Sequence, residues 1–378
     1  MKLKIDRQLL TAQLAHISKA LPTKSPLTIL LGIKIVVTPV GVFLTSSDSD
    51  ITINTFLPLE VKGTQVIKIE EVGSIVIPGK YFIEIIRKLT GETIEITTFE
   101  GNFMMIKCGQ SEYTLNGFDE MDYPNIELIK TGEPLRIEKQ LLKSVVRQTS
   151  FSVGSGENRP VLTGINFRYE DNVLTCTATD SFRLSKKVID LESDHVPFNI
   201  VIPGRSLNEL AKILDDSAEA VDIHISNNQV LFQSGFVAFQ SRLLDGIYPE
   251  VREFVPTTFG IEIKVKYHDL LEALDRTALI ARDQVSNVMK LNFLPQTSKL
   301  LMTAQAPEVG KVEEDVNIEF LTGGELHISC SVVYMIDAIK ALNSSDVIIG
   351  LNGDMKPFVL RNEKDDTTIQ LIVPVRME

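Results

Sequence analysis

The chain has 378 residues, a length that suits two or three domains of roughly 150 residues each. Apolar residues make up 44% and charged residues 23%, which excludes a disordered chain, a collagen and a disulfide-stapled mini-protein. Lys and Arg number 38 and Asp and Glu 50, a net charge of −12, so any surface for nucleic acid has to be local.

In chain order, Leu3-Lys4-Ile5 alternates like a strand, and Leu9-Leu10 opens an amphipathic stretch that predicts a helix within 5–20. Gly32 to Val37 alternates with period two and runs into the turn Thr38-Pro39-Val40-Gly41. Ile75-Val76-Ile77-Pro78-Gly79-Lys80 reads as a strand feeding a helix over 79–89, and Asp122-Tyr123-Pro124 closes this unit. The order then repeats. Leu135-Arg136-Ile137 precedes Leu141-Leu142 and a helix within 138–152. Gly164 to Tyr169 alternates before the turn Glu170-Asp171-Asn172. Ile200-Val201-Ile202-Pro203-Gly204-Arg205 leads into a helix over 204–214. Short strands fill Asp222–Ile225 and Val230–Phe232, and Gly246-Ile247-Tyr248-Pro249 closes the second unit. A third copy has Ile261 to Val265, then Leu270-Leu271 within a helix over 267–282. Its decayed strand–helix junction runs from Leu326-His327-Ile328-Ser329-Cys330 into 331–342, with a strand at Val347–Leu351.

The spacings turn this order into a repeat. Pro78 and Pro203 are 125 residues apart, as are Pro124 and Pro249, and the paired leucines recur after 132 and 129 residues. Three markers in one order indicate a triplicated α+β unit in which sheet dominates. Linkers are expected near Leu128–Pro134 and Val255–Gly260, which divides the chain into 1–127, 128–255 and 256–378.

The six expected helices sum to +5, leaving about −17 on everything else. Solvated helix faces favour Lys and Arg in any protein. A triplicated scaffold with basic helices on one surface also suits sequence-independent, salt-sensitive phosphate binding. No motif for base reading accompanies it.

Catalytic and metal chemistry find little support. Cys108, Cys176 and Cys330 are far apart and odd in number, so buried thiols in a reducing cytosol are expected. The five histidines have no metal-ligand spacing, and no nucleophile elbow or phosphate-binding glycine loop is present. Gly154-Ser155-Gly156 precedes a strand and reads as a loop. Asp48, in Ser46-Ser47-Asp48-Ser49-Asp50, aligns by repeat with Asp180, which points to a turn and not to a metal cluster. No run of 18 apolar residues predicts a membrane span, and the N-terminus has no signal-like apolar region, so a cytoplasmic protein without membrane partner is expected.

Four segments are more specific. They are Glu157-Asn158-Arg159-Pro160-Val161-Leu162-Thr163-Gly164-Ile165, Thr177-Ala178-Thr179-Asp180-Ser181-Phe182-Arg183-Leu184-Ser185, Arg242-Leu243-Leu244-Asp245-Gly246-Ile247-Tyr248-Pro249 and the terminal Leu371-Ile372-Val373-Pro374-Val375-Arg376-Met377-Glu378. With the triplication, they resemble the bacterial DNA polymerase III beta subunits, the β sliding clamp family, over the whole chain. The resemblance implies three β-rich domains of the DNA-clamp type per chain. It further implies a homodimer closed head to tail into a ring around double-stranded DNA, with helices lining the hole. The implied partners are the replicative DNA polymerase, the clamp loader and other proteins carrying a clamp-binding peptide; no cofactor, metal or catalytic residue is implied.

Residue by residue, the resemblance implies a peptide cleft from Leu162, Thr179, Ser181, Phe182, Arg183, Leu184 and Pro249. Met355, Pro357, Val373, Pro374, Val375, Arg376 and Met377 would supply the other wall, with the arginines at the rim. Family members usually carry histidine at the position of Phe182. Lys24 matches a DNA-contacting position; Lys80 and Arg205, which open equivalent helices, and Arg159, in the loop after Gly156, are expected to join it at the DNA, and Tyr113 and Leu115 would meet Leu279 and Ile280 at the dimer contact. Two other readings stay open: an acidic adaptor that binds peptides without encircling DNA, and an enzyme whose site uses unremarkable residues.

Overall fold

The computed structural model describes residues 1–130, 132–156, 158–191, 195–215, 219–282 and 287–376. Its six α-helices are α1 (Arg7–Ile17), α2 (Gly79–Lys88), α3 (Lys139–Thr149), α4 (Gly204–Ile213), α5 (Tyr267–Ala281) and α6 (Val332–Leu342). Each lies inside its expected window. Asp6 caps α1 by accepting from the Leu9 N–H at 2.7 Å, and Ser331 caps α6. Along α5, Leu270, Ala273, Leu274, Thr277, Ala278 and Ala281 are buried, the three-and-four spacing of a helix with one face on a core.

The chain divides into two compact units. The first comprises residues 1–140 and 209–243. It holds a five-stranded sheet, with strand Ser111–Asn116 at one edge, and an eight-stranded sheet. The second comprises residues 141–208 and 244–378 and is organised on one twelve-stranded sheet. The units therefore do not follow the sequence repeats: the middle repeat contributes four strands to each.

Inside each unit two repeats are joined edge to edge. In the first, strand Ile51–Pro58 pairs antiparallel with Val237–Arg242, Ile51 opposite Ser241. In the second, Arg183–Asp190 pairs with Asp365–Ile372, Arg183 opposite Ile372. Equivalent glycines tighten both frames. A Cβ on Gly32 would lie 2.4 Å from Val76 Cγ1, and one on Gly164 would lie 2.6 Å from Val201 Cγ1, so only glycine fits there. Matching clusters follow. Leu30, Val76 and Tyr123 form one, and Leu162, Val201 and Tyr248 form its counterpart. All three cysteines are buried and free.

Candidate functional site

The site grows from a hairpin turn. Asp180 accepts from the N–H groups of Phe182 and Arg183 at 2.9 and 3.0 Å, and Ser181 takes φ 79°. Asp48 makes the same turn in the first unit, accepting from the N–H groups of Asp50 and Ile51, with Ser49 at φ 82°. Both aspartates are thus turn formers. The Thr179 hydroxyl donates to the Arg183 carbonyl at 2.6 Å and fixes the next strand's departure.

Beside this turn lies a cavity of about 330 Å³. Leu162, Leu184, Leu371, Val373 and Pro357 give it aliphatic walls, while Pro249, Val251 and Phe254 of the connector after Tyr248 close one side. Thr179, Ser181, Arg159 and Arg183 add the polar lining. Leu184, Val359 and Leu371 are buried together against Val251, Val255 and Val373, so the floor is continuous with a packed cluster. Apolar walls with a few placed polar groups suit a short peptide with aliphatic or aromatic anchors.

Of the expected cleft residues, Leu162, Thr179, Ser181, Arg183, Leu184, Pro249, Pro357 and Val373 line this one cavity. Arg183 is not the free rim cation expected. Its Nε donates to Asp180 at 2.9 Å, one terminal nitrogen donates to Asp337 at 2.7 Å, and its guanidinium lies 5.4 and 4.3 Å from the Phe151 and Tyr334 rings. Two carboxylates and two aromatic faces hold it as a structural pin. Arg159, expected to meet DNA, stands exposed at the cleft.

The tail departs from expectation after Val373. Val373 N–H donates to the Phe182 carbonyl at 2.9 Å, but Val375 N–H donates to Ser329 at 2.7 Å, in strand Leu326–Ser331. Pro374 is buried, Val375 half-buried and Arg376 exposed, and none of them lines the cavity. A backbone tie to another strand carries these residues past the cleft. Met377 lies outside the described residues. Phe182, 62% exposed, and Met355, 44% exposed, flank the site without lining it, so Phe182 is no core residue.

Val251, Phe254 and Leu371 line the cavity in addition to the residues the sequence points to. The signal existed: Ile369, Leu371 and Val373 alternate on one strand face.

Lys24 is exposed in a loop, Lys80 on the first turn of α2 and Arg205 on the first turn of α4. Tyr113 is 43% exposed, Leu115 is half-buried, Leu279 is 76% exposed and Ile280 is half-buried near the end of α5. Among the described residues, no helix is long and apolar enough to cross a membrane, and no cluster of three metal-ligating side chains occurs.

The chain matches three family domains: the DNA polymerase III beta subunit N-terminal domain over residues 1–127, the central domain over 136–250 and the C-terminal domain over 252–376. It is 42% identical to the beta sliding clamp of Bacillus subtilis over 378 residues, all of both chains. It is 40% identical to that of Staphylococcus aureus over 376 residues, covering 100% of this chain and 99% of the relative. Among solved structures, the DNA polymerase sliding clamp from Bacillus subtilis superposes with a TM-score of 0.95 at 41% identity, with full coverage of both chains. The DNA polymerase III beta chain from Streptococcus pneumoniae gives 0.95 at 34% identity, again with full coverage. Triplication, edge-joined sheets and these matches along the whole length establish that the chain belongs to the DNA polymerase III beta subunit family, the β sliding clamps.

Proposed function

We propose that this sliding clamp encircles duplex DNA as a head-to-tail homodimer and tethers the replicative polymerase, the clamp loader and other partners through peptides seated in the Leu162–Leu184–Val373 cleft. The observation that carries the ring is a pair of unlike open edges. Strand Ser111–Asn116 pairs with Phe103–Cys108 on one side only. The Lys311–Asn317 stretch of strand Gly310–Thr322 pairs with Lys299–Ala306 on one side only. Two such ends on one chain satisfy each other when two chains close.

Repeat equivalence supplies the register. Counting across the ladders from Leu3, Leu135 and Ile263 places Tyr113, Phe239 and Gln370 in equivalent positions. Counting from Lys34, Asn166 and Lys290 does the same for Asn54, Lys186 and Glu313. The internal joins set Phe239 opposite Ile53 and Gln370 opposite Ser185. Copying them sets Tyr113 of one protomer opposite Val312 of its partner, and Leu115 opposite Gly310. Gln370 also donates to the Gln148 carbonyl on α3, so the equivalent Tyr113 would rest on α5 of its partner, near Leu279 and Ile280.

We assign Lys24, Lys80 and Arg205 to the DNA-facing surface and Arg159 to the cleft. Modest charge is enough where topology, not affinity, holds the protein on DNA. The three sequence domains 1–127, 128–255 and 256–378 are the closing units, and the protein works in the cytoplasm. We read the role as non-enzymatic, in keeping with the relatives named as sliding clamps.

The test is retention on DNA. Once assembled by a clamp loader on a nicked circular plasmid, the protein is expected to stay through a high-salt wash and to leave when the plasmid is cut. Equal loss from circular and linear DNA would favour the adaptor reading.

A further inference from the structure

A second cavity, of about 910 Å³, opens on the same sheet face as the cleft, farther along the strands and roofed by the connector. Its centre is Lys186, flanked across the ladder by Thr177 on one side and Ile369 on the other. Nearby cations are already matched. Arg168 donates to Glu170 at 2.9 Å and Glu250 at 3.4 Å, and Arg361 donates to Glu262 at 2.6 Å. Among the described residues, Lys186 makes no ion pair. Arg252 also lines the cavity, and only its backbone N–H bonds Glu250. Burial, reinforced by Arg252 and partly offset by Glu250, holds the Lys186 ammonium below its usual pKa. Val255, Pro256 and Phe259 add an apolar part to the same lining. The equivalent position in the first unit is Asn54, so the arrangement is not a by-product of the repeat.

We propose that this cavity is a binding site for an organic carboxylate, held between Lys186 and Arg252 with its apolar body against Val255, Pro256 and Phe259. In a chain of net charge −12, two cations that form no side-chain ion pair among the described residues, in a lining that also carries Glu250, Glu262 and Asp366, combine with the apolar residues to suit an anion and a hydrocarbon together. The carboxylate belongs either to a free aromatic or aliphatic acid or to a glutamate side chain of a bound peptide. The site shares Pro249 and Val251 with the peptide cleft but needs none of the cleft's leucines, so it stands or falls by itself.

The experiment follows lysine signals by NMR in the full-length dimer labelled with [13Cε]lysine. The probe is 2-naphthoate, with 2-naphthamide as its uncharged match and acetyl-Ala-Glu-Phe-Ala-amide as the peptide arm. Saturable movement of the Lys186 signal and a raised titration midpoint are expected with naphthoate. Affinity should fall at least tenfold in K186M, in R252Q and on replacing naphthoate by naphthamide. Tighter binding of the peptide than of naphthoate assigns the carboxylate to a partner's side chain, and the reverse assigns it to a free acid. A Lys186 signal unmoved by either probe, equal binding of naphthamide, or unchanged affinity in both folded variants would overturn the proposal.

Discussion

The two internal joins share one backbone plan and carry different side chains, four of which set the character of each. At the first, Asp50, Thr52, Gln240 and Arg242 occupy the positions that Phe182, Leu184, Leu371 and Val373 hold at the second. Gln240 is buried, accepts from the Ile129 N–H at 2.9 Å and donates to the Glu127 carbonyl at 3.1 Å, so an amide latches the connector down. Leu371, equally buried, can make neither bond, and the connector there rests on apolar contacts through Val251 and Val255 beside an open cavity. A polar lining goes with the latched connector at the first join, and an aliphatic floor in the same frame sets the proposed peptide cleft apart at the second. Among the described residues, the first join holds a cavity of about 590 Å³ lined by Ser47, Ser49, Thr52, Gln240 and Arg242, and the second holds the one with aliphatic walls.

The sharpest way to break the comparison is to turn the second join into the first. Leu371→Gln with Val373→Arg should weaken binding of a Leu/Phe-containing clamp peptide about 100-fold or more. Each lost anchor is worth ~2 kcal/mol or more. Calorimetry reads the affinity and sedimentation the intact dimer; undiminished binding would mean the peptide sits elsewhere.

Removing residues 374–378 should act on the fold and spare the cleft lining. The truncation deletes buried Pro374 and the Val375–Ser329 hydrogen bond, so a stability loss of about 1–2 kcal/mol is expected, with peptide affinity changed far less than by Leu371→Gln with Val373→Arg. A truncated protein with unchanged melting would show that the tie contributes nothing.

Gln240→Leu tests the latch from the other side. It leaves the Ile129 N–H and the Glu127 carbonyl without their partner, at a cost of about 1–3 kcal/mol. Faster hydrogen exchange at the Ile129 amide is the expected sign, and unaltered protection would refute the latch.

Phe182→His is the smallest change. At 62% exposure the ring should alter peptide affinity by about 1 kcal/mol or less and leave the melting temperature nearly unchanged. A strong loss of stability would mean the ring is packed in solution.

Much of this is legible in the chain itself. The repeat spacings place six helices, and the shared Asp48 and Asp180 mark equivalent turns, because local hydrogen bonding and helical period are short-range properties. Leu162, Leu184 and Val373 are found through family resemblance. The fate of Arg183 is not legible, since Asp337 and Tyr334 reach it from more than 150 residues away. Nor is the equivalence of Gln240 and Leu371, which emerges only from the strand registers and not from any likeness between the residues. The path of residues 374–376 depends on one backbone bond to a neighbouring strand, which has no sequence signature.

If each internal join is a template, the contact between protomers is the third instance, and a disulfide measures it directly. Tyr113→Cys with Val312→Cys should place two thiols on opposed residues of neighbouring strands, within the 4.4–6.8 Å Cα separation, roughly, that a disulfide spans. The native cysteines are buried and should not compete. Under mild oxidation the double variant should run as a covalently closed dimer that survives denaturant and reverts with reductant, while Tyr113→Cys with Lys311→Cys should link poorly. A double variant that stays monomeric on a non-reducing gel, or links better at the shifted position, would contradict the head-to-tail join.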